Sequence, residues 1–235
     1  MRAEGRLYTG IGWLDSVVGG FAAPELVLID SSSPFVRGLL SGLCVQATTS
    51  YGNEMVFVDG GNSADPYEIA RIARFRGLKP EDVLGRINVA RGFTAYQLAA
   101  IINEQLEEIV RSTEASTVVI SSFMDLFLDK DMRWGESFQL VKRCMGTLQR
   151  LTRQYGLVSI VSNHGARKLH RSGSLNRIMS NMPDRVLRME NRDVGMLITL
   201  PRTGTYFYRY PVAQGQTILD KYVREAGYGQ DRWNV

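Results

Sequence analysis

Five short apolar runs, bounded by turn residues, alternate along the chain with longer stretches whose apolar positions recur at helical spacing. The runs are Leu26 to Ile29, Met55 to Val58, Ile87 to Ala90, Thr117 to Ser121 and Leu157 to Val161, each with the length and β-branched content of a buried strand. The intervening stretches carry helix signals. Leu39, Leu40, Leu43 and Cys44 follow the first run. Asp65, Pro66 and Glu68 make an N-cap, a first-turn proline and a capping-box partner ahead of the stripe Ile69, Ile72 and Ala73, and Gly77 can end that helix. After a turn begun by Pro80, Thr94 and Gln97 head a helix through Leu98, Ile101, Ile102, Gln105, Leu106 and Ile109. A long helix is predicted over about 134–155, with Phe138, Val141, Met145, Leu148 and Leu151 on one face and Gly156 as its stop. Strands alternating with amphipathic helices of this length imply an α/β fold with a parallel, doubly wound sheet. The last third changes character: Arg185 to Glu190, Gly195 to Pro201 and Thr205 to Tyr210 alternate like strands between short turns, an antiparallel meander extending the sheet. Neither a long Pro/Gly/Ser linker nor a repeat is visible, so a single domain over residues 1–235 is expected.

The segment ELVLIDSSSPFVRGLL, from Glu25 to Leu40, reads as strand, tight loop and helix. A P-loop carries G-x-x-x-x-G-K-[ST] at such a place, with backbone N–H groups around a phosphate at the helix N-terminus. Set on that template, Ser31 takes the first glycine position, Val36 the second, Arg37 the lysine and Gly38 the magnesium-binding hydroxyl. Val36 disfavours the positive φ of glycine, Pro34 has no N–H, and Gly38 has no oxygen for a metal. Arg37 keeps the charge on a bulkier, planar group. A charge-assisted hydrogen bond is worth about 1.5–3 kcal/mol, so losing three costs roughly 4–9 kcal/mol against the ~8 kcal/mol of a micromolar site. Ordinary ATP binding is not expected. Weak nucleotide binding through Ser31, Ser32, Ser33, Arg37 and Gly38 is an open alternative, as is an ordinary strand-loop-helix of an unrelated α/β protein.

Composition adds limits. The 235 residues are 44% hydrophobic, ample for a core. No apolar run approaches the ~20 residues of a membrane span, and the N-terminal MRAEGRLYTG lacks the apolar segment of a signal peptide. Cys44 and Cys144 lie in helical patterns far apart and read as buried, reduced thiols of a cytoplasmic protein. No metal-ligand cluster is visible, and the pair His164 and His170 has no Cys, Asp or Glu between its members.

The order of parts resembles the core domain of the RecA/RadA recombinase family, most like the archaeal RadA branch. TGIGWLDSVVGG is similar to that family's TG-x-x-x-LD-x-x-x-GG opening, and MVFVDGGNSADPYEIARIARFRGLKPEDVLGRINVAR to its second strand, long helix and third strand. STVVISSFMDLF sits at the Walker B strand, LVSIVSNHGARK resembles the strand before the second DNA-binding loop, and FYRYPVAQGQTILD resembles the closing strand. The resemblance implies the RecA-like P-loop NTPase fold. It has no counterpart here for the family's N-terminal DNA-binding domain or the linker with its polymerisation motif, so a monomer, dimer or small closed oligomer is expected rather than a filament.

Carried over residue by residue, the Walker B aspartate becomes Ser121, the glutamate after the second strand Gly61 and the sensor glutamine His164. Asp59 remains, and by itself reads as a strand-end or capping carboxylate. Phosphoryl transfer needs the groups that are missing, so the resemblance points to a pseudo-ATPase with no catalytic residues, metal or resident cofactor. Charge points to what remains. From Arg167 onward there are 12 Lys/Arg against 6 Asp/Glu, leaving 16 and 18 for the rest of the chain's 28 and 24. The excess is densest at Arg167, Lys168, His170, Arg171 and Arg177, where the family contacts single-stranded DNA and where a cationic loop suits phosphates. Arg133 and Trp134 fall at the family's first DNA loop; the tryptophan reads as a base-stacking or a packing residue. The expected partners are DNA, chiefly single-stranded, and a RadA-type recombinase, with a role in recombination or repair. A KaiC-like module acting through protein contacts and a divergent ATPase are the alternatives.

Overall fold

The computed structural model describes residues 5–31, 33–51, 54–130, 132–164 and 173–210. Two-residue strands β1 (Arg6–Leu7) and β2 (Phe21–Ala22) pair antiparallel around helix α1 (Gly12–Val18), a small flap whose Leu7, Leu14 and Phe21 are buried. Then come β3 (Glu25–Ser31), α2 (Phe35–Gln46), β4 (Met55–Asp59), α3 (Pro66–Phe75), α4 (Pro80–Leu84) and β5 (Ile87–Arg91). α5 (Ala95–Ala100) runs through a π-helical turn, Ile101–Gln105, into α6 (Leu106–Thr113). β6 (Thr117–Ser121), α7 (Phe123–Phe127), α8 (Trp134–Tyr155), β7 (Val158–His164), α9 (Gly173–Asn181), β8 (Arg185–Arg192), β9 (Gly195–Leu200) and β10 (Thr205–Arg209) complete the order.

The strand order is β10-β9-β8-β3-β7-β6-β4-β5. β5, β4, β6, β7, β3 and β8 are parallel; β9 and β10 are antiparallel additions. The central parallel strands are buried on both faces, as near-continuous apolar runs require. Leu26, Leu28, Val56, Val58, Val118 and Ile120 face α5 to α8, while Val27, Ile29, Phe57, Val119 and Ile160 face α1 to α4. The mainly parallel sheet, clad on both sides and closed by an antiparallel meander, is the architecture expected from the sequence.

The local signals hold. The Asp65 carboxylate accepts from Tyr67 and Glu68 N–H at 3.0 and 3.1 Å. Thr94 Oγ1 accepts from Gln97 N–H while Gln97 Oε1 accepts from Phe93 N–H, one residue outside the usual box. Gly156 ends α8 at φ 59, in the left-handed region that glycine occupies without penalty. Two expectations change. The Thr94 helix is interrupted by the π turn, and Gly173–Asn181 is a helix rather than part of an irregular basic stretch, because Leu175 and Met179, one turn apart, are buried in the core. Among the described residues no helix is long and apolar enough to cross a membrane.

Candidate functional site at the carboxyl edge of the sheet

In an open α/β sheet, ligands meet the loops at the carboxyl ends of the strands. Register sets what stands there: Asp59 lies between Arg91 and Ser121, and Ser31 between His164 and Met189. The loop from β3 to α2 is held by its own side chains. Ser31 Oγ donates to the Met189 carbonyl at 2.8 Å and accepts from Ser33 N–H at 3.0 Å, and Ser33 Oγ accepts from Phe35 N–H at 3.3 Å. Both serines are buried, so these hydroxyls tie the loop to β8 and start the helix instead of facing a ligand. Val36, at the second-glycine position, is a core residue beside Leu39 and Leu40. Ser32 lies outside the described residues. Arg37 and Gly38 are exposed and line an open pocket of about 500 Å³ with Ser41 and the loop Asn62 to Glu68. Arg37 makes no ion pair among the described residues. A Cβ at Gly38 would meet no heavy atom within 4 Å, so that position has room for a larger side chain.

Asp59 is the most heavily engaged side chain of the edge. Fully buried, it accepts from Gly61 N–H (3.2 Å), Ser63 N–H (2.9 Å), Ser63 Oγ (3.3 Å), Ala64 N–H (3.1 Å) and Ser121 Oγ (2.9 Å). Arg91 closes the shell, with Nε at 3.2 Å and a second guanidinium nitrogen at 3.1 Å. Burial pushes its carboxyl up, but the N–H groups of Ser63 and Ala64, the Ser121 hydroxyl and the Gly61 N–H outweigh it and hold the group below the usual carboxylate range. Asp59 thus organises loop 60–64 as the strand-end capping carboxylate that the sequence suggested, with Arg91 and Ser63 as partners that sequence reasoning missed.

Gly61 takes the position that the sequence resemblance assigns to a glutamate, and the space beside it is taken. A Cβ there would come 2.2 Å from Ser122 Oγ and 2.4 Å from Ser122 Cβ. Ser122 sits at φ 51, in left-handed backbone, its N–H bonded to Ser162 Oγ at 3.2 Å. A magnesium ion does not fit these residues: position 38 has no side-chain oxygen, position 61 has no room for a side chain, Ser121 Oγ is turned onto Asp59, and Asp59 is saturated. No group of three or more His, Cys, Asp or Glu among the described residues could hold a metal.

The nucleic-acid candidates are dispersed. Arg167, Lys168, His170 and Arg171 lie outside the described residues. Arg177 is exposed on α9, and His164 ends β7 opposite Ser31. Arg133 is exposed at the start of α8, and Trp134 stacks on Phe138 with centroids 5.6 Å apart. The tryptophan therefore packs within its own helix while more than half of its surface stays in solvent.

The family described as Rad51 matches residues 39–182 of the chain. A protein of Thermococcus onnurineus named DNA repair and recombination protein RadB is 30% identical over 157 residues, 67% of this chain and 68% of that one. A protein of the same name from Thermococcus kodakarensis is 27% identical over 198 residues, 84% of this chain and 86% of its own.

Proposed function

The chain belongs to the Rad51 family, and from that premise we propose that it is a catalytically silent member that binds DNA and assists recombination or repair beside a RadA-type recombinase. One observation carries the silent part. Asp59, the carboxylate left at the nucleotide edge, is saturated by loop 60–64, Ser121 and Arg91, and the neighbouring acidic positions are Gly61 and Ser121. Hydrolysis in this fold needs a metal, a group that orients water and a positive charge on the phosphates. Arg37 supplies only the last.

The binding part is supported by charge and by the relatives' names. The strand carrying Ser162 and Asn163 ends at His164 on the carboxyl edge, and the basic run follows it directly in sequence. A single strand offers phosphates to such a run without reading sequence. If Arg167, Lys168, Arg171 and Arg177 each neutralise one phosphate, the logarithm of the binding constant falls against log salt with a slope of about −3, from roughly −0.7 per phosphate. Changing all four to alanine is expected to flatten that slope and weaken binding of an oligonucleotide at low salt. Unchanged thermal unfolding of the variant would show that the loss of binding is not a loss of fold. A quadruple variant that binds like the parent, or a parent that does not bind, would remove the DNA role and leave protein contacts in its place.

A further inference from the structure

Helix α3 holds the two most exposed large aromatics among the described residues. Tyr67 is 84% exposed and Phe75 90%, although rings of that size are mostly buried in folded chains. Ile69 and Ala73 turn to the core, so the packing of α3 within its own chain leaves the opposite face uncovered. There Tyr67, Arg71 and Phe75, spaced by four residues, make one ridge, about 12 Å long at 1.5 Å per residue.

The ridge is symmetrical about Arg71. Tyr67 lies four residues before it and Phe75 four after; Glu68 lies three before it and Arg74 three after. A second α3 crossing the first antiparallel, with a two-fold axis at Arg71, sets each Tyr67 beside the partner's Phe75 and each Glu68 beside the partner's Arg74. Ring then meets ring and carboxylate meets guanidinium. An isologous contact needs such a self-complementary patch, and helices cross most often by packing ridges of this spacing together. Charge agrees. Arg74 is exposed and makes no ion pair among the described residues, while Arg71 is bound through two nitrogens, each at 2.7 Å, to Glu68 of its own helix. Two Arg71 side chains meeting at the axis therefore bring their counter-charges with them.

We propose that α3 is the contact of a two-fold dimer of this chain, anchored by Tyr67 and Phe75 and oriented by Glu68 and Arg74. Large aromatic side chains bury about 150–250 Å² each, so the four rings supply roughly 600–1,000 Å². The stems of Arg71 and Arg74 from both copies bring the contact near the lower end of the ~1,200–2,000 Å² of specific interfaces. Tyr67 and Glu68 also line the open pocket beside Arg37, so the partner's Phe75 and Arg74 stand at the rim of that pocket.

Light scattering on the full chain over roughly 1–200 μM tests the proposal. The parent should pass from one chain to two. Truncating an anchor weakens a contact at least about tenfold, and each ring occurs twice, so Tyr67→Ala/Phe75→Ala should raise the dissociation constant at least about 100-fold. Arg74→Glu, set against the partner's Glu68, should stay a single chain, and Glu68→Arg/Arg74→Glu should restore the dimer to within about tenfold of the parent. Neither a loss of fold nor a general change of charge gives that rescue. Arg71→Cys, at the axis, should join two chains by a disulfide on mild oxidation, whereas the parent should not, because Cys44 and Cys144 are buried. A parent that stays single at the highest concentration, a dimer indifferent to the alanine pair, a double reversal no better than Arg74→Glu, or an Arg71→Cys chain that does not cross-link overturns the proposal.

Discussion

Replacing Asp59 with alanine is expected to be the most damaging single change in this edge. The substitution strands Arg91 and removes the acceptor of three backbone N–H groups and two hydroxyls. Breaking one side of a buried charged pair costs about 3–5 kcal/mol. At about 2–4 °C per kcal/mol for a chain of this size, the midpoint should fall by roughly 6–20 °C. Asp59→Asn should be nearly as harmful, because the new amide nitrogen turns donors toward donors. The pH dependence has a definite sign. The folded carboxyl titrates below its unfolded value, near ~3.9, so its stabilisation is complete above about pH 4. It is lost as pH falls through the folded pKa. Asp59→Asn should lack that acid-dependent part. An aspartate kept as a free metal ligand would behave otherwise: its asparagine variant would melt with the parent, as circular dichroism would show.

Gly61→Ala is expected to cost about 1–3 kcal/mol through overpacking, a midpoint drop of roughly 2–12 °C, because the new methyl meets the Ser122 side chain. Ser122→Gly alone should be close to neutral: it removes a left-handed non-glycine residue at φ 51 while losing one side chain. Combined, the two should recover most of the loss, giving a coupling of about 1 kcal/mol or more. Additive effects in the double variant would show that the contact does not constrain the loop. The same geometry means that Gly61→Glu by itself gives a less stable protein and no glutamate at a reactive centre.

What the sequence shows of the fold follows the range of each interaction. The parallel strands and the α3 and α8 helices are local patterns, complete within one segment. The helix at Gly173–Asn181 was hidden because Arg177 and its polar neighbours dominate the composition, although Leu175 and Met179 already stood one turn apart. The π turn keeps the apolar stripe of residues 98–109 running, so periodicity reads it as one helix. β1 and β2 are two residues each, too short for any period. At the edge, the absent glycine, lysine, hydroxyl and acids are plain in the letters of the loop. The Arg91 contact and the Ser122 obstruction at Gly61 are not, since each joins residues at the ends of different strands or just beyond them and exists only once the register is set.

Phosphate release from Mg-ATP, measured with saturating single-stranded DNA present, tests the central claim most directly. The expected result is release at background, unchanged by Arg37→Lys or by Arg37→Ala, because Gly38 and Gly61 have no side-chain group to hold a metal or orient water and the Ser121 hydroxyl is engaged by Asp59. Turnover above background that is lost in Arg37→Ala would contradict it.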